Sequence, residues 1–463
     1  MSNKFDVAII GGGIGGLMSA YFLSRCSNKS VILIDSGKEL SKRCCPAAKG
    51  KACCHCSTCS ITSGLAGAGA FSDGKFNLGT AYGGTLGEEL GEEVANKYIH
   101  MVDDILRHFA TDYPDIYHSN KQLAKKCLQN NLQLLDMDVR HLGTDKNYST
   151  MNNLIEDIRD KITICTETTC TDIDQLAENN YRILLSNNDN VNTVYANIVI
   201  IATGRSGAEF VNKICDKFNI HRQSNSVDIG VRVEMKDLIW EDFSKEIYEP
   251  KILYRTKTFG DRCRMFCFNK GGIVSAENNH GVITANGHSF ASDDKKTENC
   301  NFAILSSIHF TEPFNEPTEY VENISKLANM IGNNNIIVQR FGDLIAGRRT
   351  NEHRLNQSNV KPTLNATPGD LSLVLPHRIL TNIIETIYAL DSVAPGCANP
   401  DTLLYGCESK YYSIKPDHNE NFEIMKNMYL IGDGSGICRG LSQSGAMGLY
   451  VAEKILKGEN NNE

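Results

Sequence analysis

The stretch FDVAIIGGGIGG, residues 5–16, decides the fold of this chain. Residues 5–10 form an apolar run of strand length, and Gly11, Gly13 and Gly16 follow in a Gly-x-Gly-x-x-Gly pattern. The apolar residues that come next share one helical face: Ile14, Leu17, Met18, Tyr21 and Phe22. A strand, a glycine-rich turn and a helix in this order predict the start of a dinucleotide-binding βαβ unit.

The glycines allow a tight turn and a close approach of the backbone to a pyrophosphate, and the helix N-terminus favours negative charge. We therefore predict cofactor contacts from the glycine loop and from the end of the second strand, residues 31–35. Asp35 lies about 20 residues beyond the glycines, where a carboxylate can accept hydrogen bonds from ribose hydroxyls. The alternative is a glycine-rich turn in an unrelated α/β protein. The predicted contacts are Gly11, Gly13, Ile14, Gly15, Gly16, Asp35 and Ser36.

The far end of the chain favours FAD over NAD. A strand at residues 428–431 leads into Gly432-Asp433-Gly434, and a helix is predicted from about residue 442 to 457. Asp433 can bind the ribityl or pyrophosphate side of a flavin, and the helix N-terminus can stabilise the charge of the reduced ring. The alternative for residues 432–436 is a plain surface turn. Predicted contacts in these parts of the chain are Ala202, Thr203, Gly204, Gly432, Asp433, Gly440, Leu441 and Ser442, with Cys170.

The predicted fold class is α/β, with a Rossmann-like FAD-binding domain of the glutathione-reductase type that is split in sequence around an inserted α+β substrate domain. The 463 residues suggest roughly two domains. We predict the FAD domain at 1–207 and 391–463 and the insertion at 208–390. A hairpin is predicted around residues 187–190, and helices at 87–109 and 151–161.

Bulk composition narrows the class of partner. The net charge of −8 gives no electrostatic reason to expect nucleic acid or an anionic membrane, and no apolar run approaches the roughly 20 residues of a membrane span. Residues 5–10 read as a strand rather than a signal core, so we expect a cytoplasmic protein. Seventeen cysteines in a reducing compartment indicate metal or redox chemistry rather than structural disulfide bonds.

Several stretches resemble the FAD-dependent dehydrogenases, a family related to the two-dinucleotide-binding-domain, NAD(FAD)-utilising flavoproteins. The matching stretches are residues 59–61, 64–75, 228–234, 286–289, 406–409, 432–436 and 439–443. The resemblance implies a flavoprotein fold over nearly the whole chain. It also implies that the small-residue stretch forms a second flavin-contacting segment, with contacts from Gly67, Ala68, Gly69, Ala70, Ser72 and Asp73. Where His288 stands, the family more often has Met.

A cysteine-rich loop, residues 43–60, allows three interpretations. Cys53-x-x-Cys56-x-x-Cys59 has the spacing of a zinc or iron–sulfur loop, with Cys45 or, alternatively, Cys44 as a fourth ligand. Cys54 and Cys59 also have the Cys-x4-Cys spacing of a redox-active disulfide beside a flavin. The third interpretation is a loop of free thiols.

Candidate substrate groups are His288 and Glu277 as proton donors or acceptors, with Arg264 and Arg348 to hold or orient a substrate. Each of these residues also has a non-catalytic interpretation, because a lone His is usually structural and a loop Arg is usually a solvated or ion-paired group. The sequence thus predicts an FAD-dependent oxidoreductase that moves two electrons, as hydride, between flavin and a small organic substrate.

Two alternatives stay open: a disulfide-reductase-like flavoenzyme using Cys54 and Cys59, and a non-enzymatic flavin/iron–sulfur electron carrier or redox sensor. The expected electron donor is NAD(P)H or a protein. No second Gly-x-Gly-x-x-Gly follows a later strand, which argues against a dedicated NAD(P) domain.

Overall fold

A computed structural model describes the chain except for residues 1–2, 46–55, 57, 73, 119, 136, 178, 188–189, 224–225, 248, 280–281, 289–295, 311–312, 315, 411–412 and 461–463. The chain divides into two compact units. The first comprises residues 1–117, 137–223 and 413–463, and the second comprises 118–136 and 224–412. Compared with the predicted boundaries, residues 208–223 group with the first unit, and residues 118–136 and 391–412 group with the second.

The first unit is built on a mainly parallel sheet. Its strand order is Glu423–Met425, Met428–Leu430, Asn190–Ile201, Lys4–Ile10, Val31–Ile34 and Thr163–Cys165, and only the first pairing is antiparallel. A hairpin of Thr169–Ala177 and Asn180–Asn187 extends antiparallel from Asn190–Ile201. This is the Rossmann-like arrangement predicted from residues 5–16.

Both faces of the central strand are buried, which explains its uninterrupted apolar run. Val7 and Ile9 pack into one core cluster with Leu17 and Leu33, whereas Ala8 and Ile10 belong to a second cluster on the other face. The helices of this unit are Ile14–Cys26, Leu86–Leu90, Glu92–Phe109, Thr144–Arg159, Ala208–Phe218 and Leu441–Asn460. Its shorter elements are the strands Lys75–Asn77, Ile116–Tyr117, Val139–His141, Arg222–Gln223 and Lys415–Pro416 and the 3-10 turns Leu40–Lys42, Gly67–Phe71, Arg205–Gly207 and Gly432–Ser435.

Two helices differ from their predicted bounds. The helix predicted at 87–109 is interrupted at Gly91, whose φ of +79° ends one helix and begins the next. The helix predicted from residue 151 begins already at Thr144, after Gly143. Its first turns are polar, so the apolar periodicity that locates helices in a sequence begins too late.

The second unit contains a mainly antiparallel sheet. Its strand order is Thr367–Pro368, Ile337–Arg340, Leu403–Lys410, Val227–Lys236, Asn299–Ile308, Arg262–Asn269, Ile252–Arg255 and Leu132–Leu134. A separate hairpin joins Ile273–Asn279 to Val282–His288. The helices are Lys121–Gln129, Glu241–Glu246, Pro317–Ile331, Phe341–Ile345, Glu352–Gln357 and His377–Asp391, with 3-10 turns at Asp237–Trp240 and Leu371–Leu373. Sheet and helices together give the expected α+β architecture. Among the described residues, no helix is both long and apolar enough to cross a bilayer.

Candidate functional site: a dinucleotide cradle

The glycine loop, residues 11–16, connects the strand Lys4–Ile10 to the helix Ile14–Cys26. Gly11 has φ +110°, and a Cβ atom there would overlap the Ala202 carbonyl of the neighbouring strand end. Gly13 is the helix N-cap, and no side chain caps the helix. The first helical N–H groups therefore keep their capacity to bind an anion, as a pyrophosphate site requires.

Asp35 fixes the shape of this loop. Its Oδ2 accepts a hydrogen bond of 2.7 Å from the Gly12 amide, and its Oδ1 accepts one of 2.7 Å from the Gly37 amide. The carboxyl group is buried, whereas Ser36 is exposed. A carboxylate offers about four acceptor positions, so these two bonds leave capacity for ribose hydroxyls. Positioning of the glycine loop is a role that the sequence reasoning missed.

The second loop, residues 64–72, packs directly against the glycine loop. The Ala66 amide donates to the Gly12 carbonyl at 2.8 Å, although Ala66 has the left-handed φ of +67°. Gly67, at φ +58°, brings its backbone so close that a Cβ atom would lie 2.9 Å from the Gly13 Cα. These contacts place the small residues of the second loop beside the helix N-terminus, and their role as flavin contacts stays a prediction.

Arg43 holds the second loop in place and was not predicted. Its guanidinium is buried and donates to four backbone carbonyls, at distances from 2.7 to 3.0 Å: Ser60, Ile61, Leu65 and Gly67. Burial lowers the pKa of Arg43 to about 10. The sequence signal is a glycine-rich stretch near an arginine, because carbonyls outside regular elements need side-chain donors when they are buried.

Asn147 touches the same loop from the helix Thr144–Arg159. Its Nδ2 donates to the Gly69 carbonyl at 2.7 Å, and its buried Oδ1 accepts no hydrogen bond from the described residues. Ser72 Oγ also donates to Gly69. The predicted contact Asp73 lies outside the described residues.

The two strand ends that carry the other predicted contacts lie side by side, because Asn190–Ile201 and Met428–Leu430 pair in parallel. Gly434 lies close to Gly204, where a Cβ atom would be 3.0 Å from the Gly204 carbonyl oxygen. Arg205 donates to Asp433 Oδ2 from both Nε and Nη2, at 3.1 and 2.8 Å. Thr203 Oγ1 is buried and finds no hydrogen-bond partner among the described residues.

The C-terminal helix, Leu441–Asn460, runs alongside Ile14–Cys26 in the same direction. A Cβ atom on Gly15 would lie 3.1 Å from the Ser444 carbonyl oxygen, and Ser19 Oγ donates to the Gly448 carbonyl at 2.9 Å. Both N-termini consequently lie on the same side of the unit. Ser442, near this N-terminus, has a buried hydroxyl without a hydrogen-bond partner in the described part of the chain.

These observations test whether the residues fit a dinucleotide. Asn147, Thr203 and Ser442 each bury a polar atom that the described residues leave unsatisfied, which is costly unless a ligand or water completes it. We call the glycine loop, the second loop and the segments around Gly204, Asp433 and Ser442 the cradle. A side chain at Gly11 or Gly67 would overlap neighbouring backbone, so glycine at these positions allows the segments to pack closely. A long ligand with phosphates and hydroxyls suits this combination of groups.

Cysteines were predicted both as a cofactor contact, Cys170, and as metal ligands or a disulfide in the cysteine-rich loop. Cys170 lies in the apolar core with Ile173 and Leu185, and burial raises its pKa to about 12. Of the predicted metal ligands, Cys45, Cys56 and Cys59 are described, but Cys53 is not, and neither is Cys54 of the predicted disulfide. Within the described residues there is no group of three or more side chains placed to hold a metal ion.

The surroundings of the Cys59 thiol lower its pKa. Burial raises its pKa, but hydrogen bonds from the Ile61 and Thr62 amides and the Thr62 hydroxyl, with the charge of Arg43, outweigh this effect and lower it overall. A thiolate at this position is therefore easier to form than on an ordinary cysteine.

The predicted catalytic residues are all in the second unit, where Arg264 and Arg348 contact different carboxylates and Glu277 and His288 share a hairpin. Arg264 is ion-paired with the buried Asp228, and Ser307 donates to the same carboxylate at 2.6 Å. Arg348 donates to the buried Asp343 at 2.8 Å and is half-exposed. Of the four predicted catalytic residues, Arg264 and Arg348 are thus ion-paired with carboxylates of the protein.

Glu277 and His288 share the hairpin of Ile273–Asn279 and Val282–His288. Glu277 accepts from Asn286 Nδ2 at 2.8 Å and lies 3.6 Å from Lys410 Nζ. His288 is exposed at the other end of the hairpin, paired with Ile273. In the hairpin, Glu277 pairs with Thr284 and His288 pairs with Ile273, so strand pairing does not place these two side chains opposite each other.

Beneath this hairpin lies a buried polar layer that the sequence did not reveal. Arg232 is fully buried and donates to Asn301 Oδ1 and the Cys267 carbonyl, and its Nη1 lies 3.6 Å from Glu408 Oε1. Gly287 packs on the guanidinium, leaving no room for a side chain. Arg232, Gly287 and Glu408, which belong to three different family-like stretches, meet here. A strand pattern shows alternation, but it does not show which polar residues face a covering hairpin.

Two family models match the chain. Residues 5–228 match the family described as pyridine nucleotide-disulphide oxidoreductase, and residues 227–411 match FAD-dependent protein, C-terminal domain-like. No curated protein matches the chain significantly.

Among solved structures, the p-nitrophenol 4-monooxygenase PnpA from Pseudomonas putida DLL-E4 is 10% identical with a TM-score of 0.41, covering 100% of this chain and 82% of its own. L-proline dehydrogenase from P. horikoshii is 12% identical with a TM-score of 0.39, covering 99% and 95%. A flavoprotein/dehydrogenase from Cytophaga hutchinsonii is 10% identical with a TM-score of 0.39, covering 98% and 79%. Likenesses this distant do not bear on the reaction.

The fold, the cradle and the two family matches define the class of this protein. It is an FAD-dependent flavoprotein of the oxidoreductase class, with a Rossmann-like FAD-binding unit.

Proposed function

We propose that the protein transfers two electrons, as hydride, between FAD and a small organic substrate. The observation that carries the proposal is the cradle of the first unit. Close glycine contacts surround a helix N-terminus without a side-chain cap, and buried polar atoms there have no hydrogen-bond partner among the described residues. When bound, FAD supplies the hydride chemistry itself. The protein's part is to bind and orient the cofactor and to handle protons.

In this proposal, FAD is bound by the predicted contacts of the glycine loop, the second loop and the segments around Gly204, Asp433 and Ser442. The unit containing residues 227–411 would bind the substrate. Glu277 is our first candidate for proton transfer, because Asn286 and Lys410 hold its carboxylate in place. His288 is the second candidate. Arg264 and Arg348 are proposed to orient substrate through their ion-paired carboxylates rather than as free cations.

A second candidate function is thiol–disulfide chemistry with Cys54 and Cys59. The lowered pKa of Cys59 favours it, since a thiolate is the reactive form in disulfide exchange. A zinc or iron–sulfur site at Cys45, Cys53, Cys56 and Cys59, and with it the electron-carrier alternative, is a further proposal for the same loop.

An anaerobic absorption spectrum before and after dithionite separates these functions. The proposal expects flavin bands that bleach on reduction, followed by reoxidation with a substrate acceptor. Additional broad absorption that also bleaches would indicate an iron–sulfur cluster and favour the electron carrier. Protein that neither contains flavin nor takes up added FAD would refute the proposal.

A further inference from the structure

The ion pair between Arg205 and Asp433 joins two of the segments that form the cradle. Arg205 directly follows Gly204, and Asp433 lies in the 3-10 turn Gly432–Ser435. Both guanidinium contacts go to the same carboxylate oxygen, Oδ2, at 3.1 Å from Nε and 2.8 Å from Nη2. The pair is only partly exposed on its acidic side, where the Asp433 side chain is 24% accessible.

This geometry leaves the other oxygen available. Asp433 Oδ1 accepts no hydrogen bond from any residue that the structure describes, while the two contacts to Oδ2 restrict rotation of the carboxylate. The guanidinium also offsets the negative charge of the carboxylate. Charge-assisted, two-point contacts from arginine are the means by which proteins fix the orientation of a carboxylate.

We propose that Arg205 is a positioning residue for FAD. It holds Asp433 so that Oδ1 accepts a hydrogen bond from a cofactor hydroxyl, and it neutralises the carboxylate beside the diphosphate. This inference rests on the proposed FAD binding but does not depend on the reaction or the substrate.

The chain contains a matched control pair. Arg182 donates to Asp174 Oδ2 from Nε and Nη2 at 3.0 and 2.8 Å, almost the same geometry. The exposures are also similar, 45% and 26% for the control against 51% and 24% for Arg205 and Asp433. The control pair belongs to the hairpin of Thr169–Ala177 and Asn180–Asn187, which contains no predicted cradle residue other than the core residue Cys170.

The test is FAD titration of the full-length apoprotein, followed by flavin fluorescence and the visible circular dichroism of bound flavin. We expect R205A to raise the Kd for FAD about tenfold, which corresponds to about 1.4 kcal/mol. R205K should recover affinity to within about threefold of wild type, because it restores the charge without the two-point contact. R182A should leave both affinity and spectrum unchanged.

A double-mutant cycle with D433A separates positioning from a general structural effect. If Arg205 acts through Asp433, the R205A/D433A variant binds FAD like D433A alone, and R205A changes the circular dichroism of bound flavin. Wild-type affinity in R205A, or fully additive losses in the double variant, would overturn this inference alone. A wild-type protein that binds no FAD would overturn it together with the proposed function.

Discussion

Substitution of Gly67 by alanine tests the contact on which the cradle is built. Gly67 has φ +58°, and the added methyl group would lie 2.9 Å from the Gly13 Cα. Gly13 is the N-cap of Ile14–Cys26, so the substitution acts on the backbone that would receive the pyrophosphate. The two loops would have to separate, since carbon atoms normally remain about 3.5–4.0 Å apart.

Two costs add in this variant. An alanine in the left-handed region costs about 1–2 kcal/mol relative to glycine. Overpacking against Gly13 adds about 1–3 kcal/mol. Gly260 isolates the first cost, because it has φ +69° in a turn of the second unit and no atom lies within 4 Å of an added Cβ. We therefore expect G260A to lose about 1–2 kcal/mol of unfolding free energy, and G67A to lose more.

Denaturant unfolding and FAD titration of both variants complete the test. G67A should bind FAD at least about tenfold more weakly than wild type, while G260A should bind it normally. The reasoning fails if G67A binds FAD with wild-type affinity, because the contact between the two loops would then not shape the site. Equal FAD losses in both variants would refute it as well.

Three other predictions follow from the same structure. Gly448→Ala should lower the unfolding free energy by about 1–3 kcal/mol, because a Cβ there overlaps the Gly15 carbonyl; in Gly458→Ala, whose Cβ meets nothing within 4 Å, thermal unfolding should be unchanged, and equal effects would refute the close helix contact. In metal-free protein, Cys59 should be alkylated by iodoacetamide faster than the exposed Cys26, as peptide mass spectrometry can measure; because its pKa is lowered, its rate should level off at a lower pH than that of an ordinary thiol, and labelling no faster than Cys26 would contradict the assignment. If the four-cysteine site exists, Cys56→Ser should remove metal in elemental analysis while flavin is retained, and metal retained at full occupancy would exclude this ligand set.

The unit that binds FAD could be predicted largely from local sequence. The order of strand, glycine loop and helix in residues 5–26 is encoded by apolar periodicity and by positions that only glycine tolerates, and both are visible without neighbours. For the same reason, the turn at residues 432–435 and the helix after it lie where expected. The fold class is confirmed, whereas the roles of individual side chains stay predictions.

What the tertiary structure decided is which polar groups meet. Arg43 with the carbonyls of the second loop, Arg205 with Asp433, and Arg232 with Glu408 are pairs separated by between 22 and 228 positions in the chain. An arginine in a sequence has no visible partner, because its long side chain is directed by packing and by whichever buried acceptor needs a donor. The same reason applies to Arg264 and Arg348, since each is ion-paired with a buried carboxylate that the sequence pattern did not connect to it. Local periodicity and glycine conformation thus determine where the helices and strands of this flavoprotein lie. The burial of charged groups in the folded chain determines which polar side chains pair with each other.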